Sequence, residues 1–131
     1  MCWSSNMAIP IVLKKPLKVY KVGTSTILDG FISLHQNFIY LKYKTVPTIK
    51  INPMFVRCHP SISYGELWYL DDFYIFEGYH SYLTAEMAKY RNYEHADIGV
   101  FEIPVGATVY VNYRHKEVVS TDIKYLGLLE E

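Results

Sequence analysis

The stretch Ile98-Gly-Val-Phe-Glu-Ile103, followed by Pro104-Val-Gly106 and then Thr108-Val-Tyr-Val-Asn112, decides the fold. Each run is short and rich in β-branched and aromatic residues, and Pro and Gly punctuate the join, so the pair reads as two strands across a turn. Tyr113-Arg-His-Lys116 is then a polar hairpin tip, leading into a strand over Val118–Leu126 with a break expected near Thr121-Asp122.

Working back from this unit, the residues after Gly78 change period. Leu83, Met87 and Tyr90 fall at i, i+4 and i+7, Thr84 is placed to cap, Glu86 sits in the first turn, and Asn92 is a stop signal. They predict one helix of two to three turns, which must lean its apolar stripe on a sheet because it cannot persist alone in water. Earlier still, Leu17–Val22, Gly30–Ser33, Phe38–Lys44, Met54–Cys58 and Phe73–Phe76 read as strands, the last apolar on both faces and therefore central. His35-Gln-Asn37 suits a tight connection, and His59–Glu66, with Pro60 and Gly65, reads as a flexible loop. Runs of strands around one inserted helix point to an α+β fold, mainly antiparallel sheet with one short helix packed on it.

The chain has 131 residues and no long polar or Gly/Ser-rich stretch, so one domain is expected over residues 17–129, preceded by an N-terminal segment, 1–16, of unassigned order. Basic and acidic residues balance at 13 each, which gives no general field for nucleic acid or anionic lipid. The apolar run Met7–Leu13 is too short to span a bilayer and is interrupted by Pro10; no basic residue precedes it, unlike a signal peptide. Two cysteines, Cys2 and Cys58, are too few for a disulfide scaffold, so a reducing cytoplasm is expected. No CxxC, HExxH, P-loop, GxGxxG or GxSxG spacing occurs, and neither a metal site nor a cofactor is expected.

Several residues can still carry chemistry. Cys2 becomes N-terminal if Met1 is removed, and its α-amine can then serve as the thiol's own base. His80, in Glu77-Gly-Tyr-His-Ser-Tyr82 ahead of the helix, is placed to act as a base or to grip a phosphate; a half-buried imidazole bonded to backbone is the plain alternative. His35, His59, His95 and His115 read as solvated, and Cys58 beside His59 needs a backbone bend before the two can interact. Thirteen tyrosines are unusual. Tyr64, Tyr69, Tyr74, Tyr79, Tyr82, Tyr110 and Tyr113 are candidates to line a pocket for a planar ligand, with Arg57, Arg91 and Arg114 for its phosphates, though half-exposed strands and oligomer interfaces use tyrosine too.

Met1-Cys2, Val19-Tyr-Lys-Val22, Glu77-Gly-Tyr-His-Ser-Tyr82, Ala85–Ala88, Ile103-Pro-Val-Gly106, Tyr110-Val-Asn112 and Val118-Val-Ser120 together give the chain a familiar outline. It resembles a loosely defined set of small proteins from bacteriophages and gut bacteria, with a Met-Cys start, a Tyr-Lys-Val strand, a Gly-(Tyr/Phe)-His-Ser block and an Ile-Pro-x-Gly strand pair. The resemblance implies a phage-type origin and action in the host cytoplasm. By analogy with other small phage proteins it implies a counter-defence role, either capture of a nucleotide-derived signal by a homo-oligomer or inhibition of a host protein through an aromatic surface. An N-terminal-cysteine hydrolase or transferase using Cys2 and His80 is the enzymatic alternative, and a non-enzymatic binding protein is the preferred expectation.

Overall fold

The computed structural model describes residues 3–5, 8–34, 38–63 and 66–130, and for 4–5, 56–63 and 66–72 the backbone alone. In chain order the strands are β1 (Trp3–Ser5), β2 (Ile11–Val12), β3 (Leu17–Thr26), β4 (Gly30–Ser33), β5 (Ile39–Leu41), β6 (Met54–Ser63), β7 (Glu66–Ile75), β8 (Tyr79–Tyr82), β9 (Asp97–Ile103), β10 (Thr108–Asn112), β11 (Glu117–Ser120) and β12 (Lys124–Leu128). The α-helix, α1, spans Ala85–Tyr90 between β8 and β9. Every strand pairing described is antiparallel, so the architecture is antiparallel sheet with one short helix.

Strand β3 organises the larger sheet because it is long enough to serve three neighbours. Along one edge it pairs with β9 from Leu17↔Ile103 to Gly23↔Asp97. Along the other it meets β8 at Tyr20↔Tyr82 and then β4 from Gly23↔Ser33 onward. From β4 the sheet passes to β5; just beyond β5, the Tyr43 N–H donates to Tyr125 O (2.8 Å), and Thr45 bridges Lys124 on β12. As β12 pairs with β9, the circuit β3, β4, β5, β12, β9 closes into a small barrel. Strands β8, β11, β10 and β2 continue the sheet away from it.

The core follows from that closure. Val19, Phe31, Tyr40, Phe101 and Tyr125, one from each barrel strand, pack together with Tyr79 and Val118 from the extension. Phe101 lies at the centre, with ring centroids of Phe31, Tyr40 and Tyr125 at 5.4, 5.1 and 5.1 Å. Gly99 makes the space: a Cβ there would lie 2.9 Å from the rings of both Phe31 and Phe101. On the other side of the extended sheet, Trp3, Ile51, Ile75, Tyr110 and Val119 form a second cluster beneath the three-stranded sheet β1-β7-β6. A third, of Val22, Tyr82 and Ala88, seats α1.

Most strand expectations match these bounds, and the departures have physical causes. Of the stretch His59–Glu66, expected as a flexible loop, residues 59–63 lie in β6 and Glu66 begins β7, with 64–65 outside the described residues; Pro60 pairs with Tyr69 on the outer strand of the three-stranded sheet, a position where proline is tolerated. The Phe38–Lys44 strand contracts to Ile39–Leu41, since Tyr43 turns to a left-handed φ of 62° at the barrel seam. The helix is capped as expected, with the Met87 N–H donating to Thr84 Oγ1 (3.2 Å). Its buried face is Met87 and Ala88, however, and Tyr90, the last residue of the helix, is 69% exposed. Trp3–Ser5 and Ile11–Val12 join β7 and β10, which places those parts of the N-terminal segment in the sheets. The connection at residues 35–37 lies outside the described residues.

Candidate functional site

The block expected to present His80 ahead of the helix is itself a strand, β8, sandwiched between β3 and β11. All four residues, Tyr79 to Tyr82, are buried. Tyr79 and Ser81 face the barrel core, and the Tyr79 hydroxyl donates to Pro47 O (2.5 Å). His80 is 5% exposed, opposite Val119, and its Nε2 lies 3.3 Å from Phe76 O. A carbonyl only accepts, so that nitrogen carries the proton. Burial, and after it the nearby Lys21, lower the imidazole pKa from 6.5 to about 4, which keeps the ring neutral near pH 7.

The other sequence-selected residues are spread over the molecule. Tyr110 packs edge-on to Trp3 in the second cluster, with ring centroids 6.3 Å apart. Tyr79, Tyr82 and Tyr110 are thus interior side chains and do not wall an open hollow. Arg114 lies on the β10–β11 hairpin tip, where the His115 N–H donates to Asn112 Oδ1 (3.1 Å). Cys2 and Tyr64 lie outside the described residues, as do the side chains of Arg57, Cys58, His59 and Tyr69. The β6 backbone nevertheless has the bend that a Cys58–His59 interaction requires: Val56 pairs with Asp72 but His59 with Leu70, so one extra residue bulges between them.

Two of the expected residues do come together. Tyr82 and Glu117 are cross-strand partners on β8 and β11, and Arg91, the C-cap of α1, reaches both electrostatically. The Leu83 N–H donates to Lys116 O (2.8 Å), which brings the hairpin tip against the start of the helix. Burial raises the Glu117 carboxyl pKa, with His115 and Arg91 pulling it back down. Burial, then Glu117, raises that of the Tyr82 phenol, with a further contribution from Tyr93. The Arg91 guanidinium lies over the Tyr90 ring, 5.7 Å from its centroid, and its buried Nε has no hydrogen-bond partner. This corner holds a half-buried carboxylate, a guanidinium with a spare donor and the largely exposed rings of Tyr90 and Tyr93. Chemically it can accept N–H or O–H donors at Glu117, bind an anion at Arg91 and His115, and stack a planar group. His115 and Glu117 were not expected to matter; a histidine and a carboxylate two residues apart after a hairpin tip was the only available signal.

A second surface feature adjoins the far side of the helix end, a hollow of about 440 Å³ lined by Lys89, Asn92, His95 and Asp97 among others. A third, of about 420 Å³, lies at the rim of the barrel between Asp29, Lys42 and Gly127. Among the described residues no group of three or more His, Cys, Asp and Glu side chains is placed to hold a metal ion, and no helix is long and apolar enough to cross a membrane. No protein-family model, no curated protein and no solved structure matches the chain.

Proposed function

We propose that the protein is a small phage-type binding protein that captures a nucleotide-derived signal without altering it, and that the ligand seats at the corner formed by Arg91, Tyr93, His115 and Glu117. The observation that carries this reading is the buried Arg91 Nε, which lacks a hydrogen-bond partner beside the half-buried Glu117. A desolvated donor without an acceptor costs about 1–3 kcal/mol, and an anionic ligand group would remove that cost. Glu117 would then accept from a ribose hydroxyl or a base N–H, while Tyr90 or Tyr93 offers a π face to the base. Perturbed ionisable groups gathered at one place are a mark of functional sites, which further favours this corner over the scattered remainder of the tyrosines and arginines.

The phage-type origin that the sequence outline implies would fit the same reading, since small phage proteins often act against host defence and sequestering a signal needs affinity alone. His80 does not act on the ligand in this account. It is neutral, and strand neighbours enclose it. The test is to incubate the protein with a panel of cyclic and ADP-ribose-type nucleotides, remove the free ligand, heat, and analyse what is released. Recovery of an unchanged nucleotide is the expected result. Recovery of an altered one would convert the reading to an enzyme, and recovery of none would leave the corner as a contact surface for a host protein.

A further inference from the structure

One outer face of the barrel is apolar and open to solvent. Beyond Val22, which α1 covers, the outward row of β3 continues as Thr24 and Thr26, beside Gly30 and Ile32 on β4 and Ile39 and Leu41 on β5. Phe31 and Tyr40 point into the core, so alternation turns Ile39 and Leu41 outward, and they are 55% and 48% exposed. Ile39 lies against Gly30, its Cγ2 3.5 Å from where a Cβ there would stand, which joins this face to the β3–β4 connection. That connection, Ile27–Asp29, raises two more aliphatic side chains: Ile27 and Leu28 are each 88% exposed. Leu34, just past β4, is exposed as well. The outward strand positions carry no charge, in a chain of which 20% is charged.

Leu28 is the least expected of these residues. Its backbone is left-handed (φ 65°, ψ 34°), as is that of Asp29 (φ 57°). Glycine and asparagine adopt that conformation most readily, and a solvated turn offers a bulky aliphatic side chain no packing to offset the strain. Neither backbone preference nor packing within one chain accounts for leucine here. A surface that covers it does.

Area and charge indicate what that surface is. Ile27, Leu28, Leu34, Ile39 and Leu41 together offer apolar area on the order of 500 Å², near the upper end for a lone monomer and suited to the core of an interface burying roughly 800 Å² per partner. At the tip end Asp29 balances Lys42, so the face has no net charge to draw anionic lipid or nucleic acid. Asp29 and Lys42 are the next cross-strand positions after Gly30↔Leu41, and the Lys42 N–H donates to Asp29 O (3.2 Å). Among the described residues their side chains nevertheless make no ion pair; the Lys42 amine lies over the Tyr43 ring, 5.3 Å from its centroid. The face therefore complements itself. A twofold axis running along and between β4 and β5 lays β4 of each copy over β5 of the other. It brings each Asp29 to the same end of the interface as the partner's Lys42, where the two charges can pair at the rim.

We propose that this face, the outer side of β4–β5 with the Ile27–Leu28 turn, joins two copies of the chain in a symmetric dimer. Each Ile27–Leu28 turn covers the outer side of the partner's β5 near Leu41, which removes the exposed aliphatic groups of both copies from water. The dimer does not involve the Arg91 corner and stands whether or not that corner binds a nucleotide.

The test is sedimentation velocity of the full-length protein over a range of concentrations, with Leu28→Asn, Leu41→Lys and Val105→Asn alongside, and flotation of the wild type with neutral phosphatidylcholine vesicles. The wild type is expected to sediment as two chains. Leu28→Asn is the decisive variant because asparagine suits the left-handed turn, so the folded monomer is retained while self-association weakens at least about tenfold. Leu41→Lys sets a charge in the interface core and should give monomer. Val105→Asn removes an exposed aliphatic side chain from the β9–β10 turn instead and should leave the dimer unchanged. A wild type that stays monomeric at every concentration would overturn the proposal, and its flotation with the vesicles would assign the face to lipid. A dimer that survives both Leu28→Asn and Leu41→Lys would overturn it equally, because that dimer must use another face.

Discussion

Lys21 and His80 sit on the paired strands β3 and β8, both enclosed, and each is more easily accommodated neutral than charged. Lys21 lowers the His80 pKa, so protonating the amine makes the imidazole harder to protonate. With two buried basic groups in one sheet, the stability of the fold is expected to depend on pH.

For Lys21 the folded-state pKa is about 7 against 10.5 for the free side chain. Between those values the unfolded chain binds more protons than the folded one, so stability rises with pH across that window and the full penalty is present below about 7. Lys21→Met is expected to flatten the slope of unfolding free energy against pH above 7 and to raise stability at pH 7. Urea unfolding at several pH values measures both, and an unchanged slope would mean that the amine is solvated.

His80 has the same sign in a lower window. Its pKa falls from 6.5 to about 4, so stability is expected to decline as pH drops from 6.5 towards 4. Glu117, whose pKa is raised, binds its proton more readily in the folded state and opposes part of that decline. His80→Gln isolates the histidine contribution: it should reduce acid sensitivity between those pH values, and equal acid sensitivity would show that the imidazole does not bear the penalty.

The centre of the barrel is filled tightly enough that one methyl group matters. An alanine Cβ at Gly99 would meet the Phe31 and Phe101 rings at 2.9 Å. Overpacking of this kind costs about 1–3 kcal/mol. Gly99→Ala should lower the unfolding midpoint accordingly, and a neutral result would show that the aromatic cluster can shift aside.

At the helix, Thr84→Ala removes the acceptor for the Met87 N–H. The expected loss is about 1 kcal/mol, read by thermal or denaturant unfolding. A loss below a few tenths would mean that water replaces the cap without cost.

The strands were legible wherever alternation and Gly/Pro punctuation agreed, as over Leu17–Val22, Ile98–Ile103 and Thr108–Asn112. The Thr121-Asp122 break was legible as well, and β11 and β12 end and begin around it. What failed to show was closure. A strand buried on both faces needs no polar side, so Lys21 in Val19-Tyr-Lys-Val22 reads as a solvent-facing lysine until the barrel closes around it. Its phase with Leu17 and Val19, an otherwise apolar row, was the available hint. For His80 the plain alternative, an imidazole bonded to a backbone group, matches the structure; what the sequence did not show is that β3 and β11 recruit Tyr79–Tyr82 as a central strand. The Arg91–Glu117 corner was invisible because its residues are distant in sequence and only the β8–β11 register and the short helix bring them together.

The most direct measurement is a calorimetric titration of the cyclic and ADP-ribose-type nucleotides into the wild-type protein and into Arg91→Gln. One nucleotide should bind the wild type and bind the variant at least about tenfold more weakly, as expected for loss of a charge-assisted hydrogen bond to phosphate. Binding of equal strength by both proteins, or no binding by either, would contradict the assignment of the ligand to the Arg91 corner.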